Sequence, residues 1–199
     1  MLQSHGDKTK CSYAAETSAF QLSEATGRLA GDIETAINAC VECCDRHVGS
    51  NRIALRCVST KGVLSEYTFE QLRDMSARAA NFFVSQGLRK GDVLAGMLPR
   101  TVDLITVILG AWRMGAVYQP LFTAFGPKAI EHRLKMSNAR LVVTNPANAS
   151  KFSEIPNHPL LAIARDKEEP SIDGTIDFRG ALAACSSTFD PVIGRGDDL

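Results

Sequence analysis

Four side chains in a short stretch, Cys40, Cys43, Cys44 and His47, have types that can bind a metal. A Cys-x-x-Cys pair is one half of many zinc sites, because two thiolates so spaced can share a tetrahedral ion. No second Cys-x-x-Cys and no paired His follows to supply the other half. A packing role accounts for more of the pattern. Ile33, Ile37, Cys40, Val41, Cys44 and Val48 recur at helical spacing, which places Cys40 and Cys44 on one apolar stripe. Cys is also among the residues most often buried.

Other fragments of chemistry are weaker. Gly91 and Gly96 have the glycine spacing of a phosphate loop, but Met97-Leu98 stands where Lys and Ser or Thr are needed, and Val93 to Leu98 reads as a strand. No strand is followed by a G-x-G-x-x-G turn, and no G-x-S-x-G elbow is present. Asp197-Asp198 reads as a solvated acidic pair. Arg195-Gly196-Asp197 matches a cell-adhesion tripeptide by chance. The residues therefore nominate no catalytic set and no metal set.

The elements that would position any site are easier to read. Residues 1–31 are polar and weakly periodic, the pattern of a flexible N-terminal arm. A helix is expected from Asp32, its N-cap, to about Val48. Arg52 to Val58 and Val63 to Tyr67 read as two strands of an antiparallel hairpin around Thr60-Lys61-Gly62. Thr68 and Gln71 form a capping box. The helix they open buries Phe69, Leu72, Met75, Ala79, Phe82 and Phe83, and Gly87 stops it. From Val93 the order is strand, helix, strand, helix, strand. The strands are expected at Val93 to Leu98, Ala116 to Leu121 and Leu141 to Thr144. The first intervening helix, Val102 to Met114, buries Val102, Ile105, Ile108, Leu109 and Trp112. The second opens at Gly126-Pro127. Leu160 to Ala164 reads as a further strand and Ile176 to Ala184 as a short helix. Apolar strands alternating with helices imply an α/β fold with a mostly parallel sheet flanked by helices and right-handed crossovers.

Composition excludes some partners. The 199 residues carry 22 Lys plus Arg and 22 Asp plus Glu, with 45% hydrophobic residues. That balance is expected of a globular protein and is poor in the basic surface of a nucleic-acid binder. The longest apolar run, Leu104 to Trp112, is far short of the ~20 residues of a membrane span. The first thirty residues lack a signal-peptide core. Cytoplasmic location is the expectation, with the six cysteines reduced.

An ordered set of segments goes further. YTFEQL (67–72) is followed by GLRKGD (87–92), VLAGMLP (93–99), ILGAWRMGAVYQPL (108–121), FTAFGP (122–127), EHRL (131–134) and ARLVVT (139–144). Together they resemble the N-terminal region of the adenylate-forming superfamily, which includes acyl-CoA synthetases, peptide-synthetase adenylation domains and luciferases. The likeness is greatest to acetyl-CoA-synthetase-like members and covers about residues 32–144.

The resemblance implies that residues 32–199 are a partial N-terminal AMP-binding domain, ending before the Ser/Thr/Gly-rich, Lys-containing phosphate loop. For the full-length parent it implies ATP, Mg²⁺ and CoA, and a small carboxylic acid as substrate. The carboxylate is activated as an acyl-adenylate and then passed to the CoA thiol. No catalytic residue carries over, and no ligand is expected to bind this chain tightly. The CoA-side candidates are Phe122, Thr123, Ala124, Phe125 and Gly126, in a loop at the carboxyl end of a strand where open α/β sheets bind ligands. Lys151 is a candidate for a CoA phosphate. The expected function is thus a fragment of an AMP-forming carboxylate–CoA ligase, inactive alone. The alternative is a short non-catalytic binding module on the same fold.

Overall fold

The computed structural model describes residues 13–59 and 61–198. Of the polar arm, residues 1–12 lie outside the described residues. The rest is helical in part, with α1 at Tyr13–Ala19 and α2 at Leu22–Thr26. From Arg28 onward the chain is tied to the body. The Glu42 carboxylate accepts from the backbone N–H groups of Ala30 and Gly31, and Arg46 donates to the Arg28 carbonyl.

The helix expected from Asp32 begins later. Asp32 instead closes a local turn, its Oδ1 accepting from the N–H groups of Glu34 and Thr35. The helix α3 spans Ala39–Cys43, and a single 3₁₀ turn follows at Asp45–His47. Asn38 is the cap. Its Oδ1 accepts from Cys40 and Val41 N–H, and its Nδ2 donates to the carbonyls of Trp112 and Val192, at 2.8 and 2.9 Å. Distant backbone thus selects the helix start, which local periodicity does not reveal.

The expected hairpin forms. Strands β1 (Ile53–Val58) and β2 (Leu64–Thr68) pair antiparallel. Helix α4, Phe69–Ser85, opens with the reciprocal capping box: Thr68 N–H donates to Gln71 Oε1 and Gln71 N–H to Thr68 Oγ1. Gly87 ends that segment at φ +83, a left-handed conformation that costs glycine little.

The main sheet contains β3 (Val93–Met97), β4 (Val117–Pro120), β5 (Leu141–Thr144), β6 (Leu160–Ile163) and β7 (Ile176–Asp177). Their order is β4-β3-β5-β6-β7, and every pairing is parallel. The connecting helices are α5 (Val102–Arg113), α6 (Pro127–Ser137), α7 (Pro146–Ala149) and α8 (Phe178–Ala184). Expected as helix from its start, Ile176 to Ala184 contributes its first two residues to the sheet edge. Asp177 then caps α8 by accepting from Gly180 N–H.

Alternation divides the sheet residues between two cores. Leu94, Leu141, Val143 and Ala162 face α4, α5 and α8, with Phe82, Phe83 and Phe178 between them. Ala95, Met97, Val142 and Ile163 face α6 and the turn bearing Phe152. A third, smaller core joins α3 to α4 and α5 through Cys40, Cys44, Leu72 and Leu109.

Leu109 of the expected face of α5 is buried, but the rest of the buried face differs. Its most buried positions include Thr106, Val107, Gly110 and Ala111, whereas Val102, Ile105 and Trp112 are partly buried against the third core. The helix is apolar nearly all round, so its periodicity does not decide which face approaches α4 most closely. Gly110 decides it. A Cβ there would lie 2.5 Å from Ala79 Cβ, so the small face permits the tightest approach.

Candidate functional site

The winding of the chain creates the site. Strand β3 lies between β4 and β5, and its outgoing chain leads to α5 on one face of the sheet. The chains leaving β4 and β5 lead to α6 and to the Phe152 turn on the other face. Adjacent strands whose exits part to opposite faces leave a crevice at their carboxyl ends. Two such crevices flank β3.

The crevice between β3 and β5 is small, with a cavity of about 190 Å³. It is stoppered by Arg179, which donates to both Asp103 carboxylate oxygens, at 3.1 and 2.7 Å, and also pairs with Asp166.

The crevice between β3 and β4 is open, with a cavity of about 630 Å³. One wall is the segment leaving β3, Leu98 to Arg100, and the other is Leu121 to Phe125. Gly96 and Tyr118 form its floor. Tyr118 is the register partner of Leu94, so it points to the same face as Gly96 two residues on. Its ring fills the space above Gly96: a Cβ there would lie 2.6 Å from the tyrosine hydroxyl and 2.8 Å from Cε2. Burial pushes the Tyr118 phenol up to about 12, so it stays neutral at physiological pH.

The predicted loop residues divide by role. Phe122, Thr123 and Phe125 line the crevice. Phe122 is exposed and meets Phe125 edge to face, with ring centroids 5.9 Å apart. Arg133 on α6 places its guanidinium 4.1 Å from the centre of the Phe125 ring, a cation–π contact that fixes the ring's rim position. Ala124 is exposed beside the crevice. Gly126 is the N-cap of α6 in extended geometry, and no protein atom lies within 4 Å of where a Cβ would be. Lys151 also reaches the loop: its Nζ donates to the Thr123 carbonyl at 2.5 Å. Lys151 therefore braces the loop.

Sequence reasoning missed Gly96, Arg100, Tyr118 and Arg133. Arg100 is exposed at the crevice rim and forms no ion pair among the described residues. A cation directly after a strand-ending proline was a usable signal. Tyr118 gave none, because an aromatic in a strand reads as core.

The cysteine stretch divides between core and surface. Cys40 and Cys44 are buried with thiols pushed up to about 11 and about 12 by burial, Cys43 is exposed, and the His47 ring packs 5.0 Å from that of Phe69. Among the described residues, no three His, Cys, Asp or Glu side chains converge in a way that could hold a metal ion. Asp198 accepts from Lys90 at 2.7 Å and from Arg195 N–H, and Asp197 pairs with Arg195. No helix among the described residues is long and apolar enough to cross a membrane.

Comparison with known proteins places this geometry. A family model described as AMP-binding enzyme matches residues 44–192. An acetyl-coenzyme A synthetase of Bacillus subtilis (strain 168) is 34% identical over 145 residues, covering 71% of this chain and 25% of that protein. A mitochondrial acyl-coenzyme A synthetase of Homo sapiens is 32% identical over 146 residues, covering 68% of this chain and 25% of that protein. A crystal structure of a Brucella canis acyl-CoA synthetase matches with a TM-score of 0.90 at 53% identity, covering 94% of this chain and 34% of that one. The chain thus spans about a quarter of the length of these two curated relatives. The open crevice lies within the matched residues.

Proposed function

Since the chain belongs to the AMP-binding enzyme family, we propose that it serves an ATP-dependent, AMP-forming carboxylate–CoA ligase by building the CoA-side wall of the active site. The open crevice between β3 and β4 carries this reading. It is open, walled by Leu98, Leu121 and the two phenylalanines, and edged by Arg100. An extended amide-bearing chain ending in a thiol fits such walls, and a phosphate-bearing end fits the cationic rim.

In this proposal the residues present bind and orient; they do not activate. Activation makes AMP the leaving group in place of a carboxylate oxygen, so that a thiol can displace it. No stretch of these residues nominates the groups that would neutralise phosphate charge in that step. No segment matches the Ser/Thr/Gly-rich, Lys-containing loop that the resemblance implies for ATP. The loop Phe122 to Gly126, tied to Lys151 through the Thr123 carbonyl and to Arg133 through the Phe125 ring, would present the thiol-bearing chain and exclude water from one side of it.

The test is to incubate the purified 199-residue protein with ATP, Mg²⁺ and short carboxylates, and separately to titrate it with CoA under NMR observation. The expected result is no carboxylate-dependent ATP–pyrophosphate exchange, with weak CoA binding that moves the signals of Thr123 and Phe125. Exchange by these residues alone would overturn the division of labour. CoA leaving the crevice signals unmoved would overturn the CoA-side assignment.

A further inference from the structure

The floor of the crevice holds a polar group that the fold does not use. Tyr118 is half-buried with its ring packed against the core of Phe82, Phe83 and Leu94. Its hydroxyl stands above Gly96, on the crevice floor, and makes no hydrogen bond with any described residue. The hydroxyl is not among the fully buried polar atoms, so its partner must come from the open crevice. Gly96 also shapes the position of the ring. Glycine at 96 in a buried strand weakens the strand, and its effect here is to make room for the ring. The neighbouring side chains are apolar on both sides, Leu98 and Leu104 on one and Leu121 on the other.

We propose that Tyr118 is a ligand-contacting specificity residue, its hydroxyl donating a hydrogen bond to a carbonyl oxygen of an amide-bearing aliphatic chain such as a pantetheine arm. The inference rests on the CoA-side reading above and adds the group that recognises the arm. A neutral donor between apolar walls suits a neutral carbonyl. A phosphate would be held at the rim by Arg100, the exposed cation there. The phenol remains a donor throughout the physiological range because burial disfavours its ionised form.

The chain has three tyrosines, so protein labelled with ¹³C in the tyrosine rings gives a readable spectrum in which Tyr118→Phe assigns the Tyr118 signal. Wild type and Tyr118→Phe are titrated with CoA and, in parallel, with pantetheine. The expected result is a shift of the Tyr118 signal with either ligand, and affinity about fivefold weaker in Tyr118→Phe at unchanged melting temperature. Arg100→Gln should weaken CoA and leave pantetheine unaffected. If the ligands move Thr123 and Phe125 while the Tyr118 signal stays fixed and the variant binds equally well, the Tyr118 inference is overturned and the CoA-side reading stands. If neither ligand moves any crevice signal, the CoA-side reading itself falls and this inference with it. Should the variant melt lower, the wild-type ring signal alone decides.

Discussion

Arg113 and Asp45, 68 residues apart in the chain, meet at 2.5 Å inside the protein. The arginine side chain is 3% exposed and the aspartate 20%. The guanidinium also donates to Ser76 Oγ at 2.8 Å and to the Phe189 carbonyl at 3.2 Å. One buried cation thus joins the 3₁₀ turn after α3, helix α4 and the segment before Pro191, all around the end of α5.

Removing the anion strands that cation. Asp45→Ala should cost about 3 kcal/mol, since breaking a buried pair leaves an uncompensated charge. The double variant Asp45→Ala with Arg113→Met should recover part of the loss, because it removes the stranded charge as well. Urea unfolding of the single and double variants reads both quantities. A double variant as unstable as the sum of the two singles would show that the pair is not coupled.

Gly110 sets the spacing of α4 and α5. Glycine inside a helix ordinarily loses about 1 kcal/mol to alanine. Here the added Cβ would lie 2.5 Å from Ala79 Cβ and 3.3 Å from the Ala80 backbone nitrogen. Backbone cannot yield as a flexible side chain can, and overpacking costs about 1–3 kcal/mol. Gly110→Ala should therefore lower the melting temperature despite its better propensity, and Ala79→Gly in the same chain should restore part of it. A rise in melting temperature for Gly110→Ala alone would show that the helices separate freely.

Glu70 should make stability depend on acidic pH. Its Oε1 accepts from Gly49 N–H at 2.7 Å and Asn51 N–H at 3.2 Å. These backbone donors, Gly49 foremost, hold its carboxyl at about 2, below the ordinary 4.5. A depressed folded-state value means that the unfolded chain takes up the proton first as pH falls. The contribution is therefore complete above about 4.5 and is lost as pH falls through about 2. The melting-temperature difference between wild type and Glu70→Gln should be constant near neutrality and shrink across that window. A difference independent of pH would remove the carboxylate from the account.

Local sequence determined much of the scaffold. Thr68 and Gln71 cap α4 reciprocally because each needs only a neighbour three residues away. Pro127 opens α6, and the continuous apolar runs of β3 and β5 read as strands buried on both faces. The ordered segments from Tyr67 to Thr144 point to the family without reference to packing. The loop Phe122 to Phe125 was legible as a site because strand-to-helix exits line the binding edge of a parallel sheet.

Tertiary structure decided the rest. The start of α3 depends on carbonyls of Trp112 and Val192 reaching Asn38. The face that α5 turns to α4 depends on Ala79 opposite Gly110. The short strand β7 exists because β6 offers it an edge. The crevice itself depends on β3 lying between β4 and β5, an order no local pattern encodes. Tyr118 becomes a floor residue only because parallel register sets it beside Leu94 and over the empty position at Gly96. Periodicity reports what lies within a few residues along the chain, whereas these features arise from groups that only folding brings together.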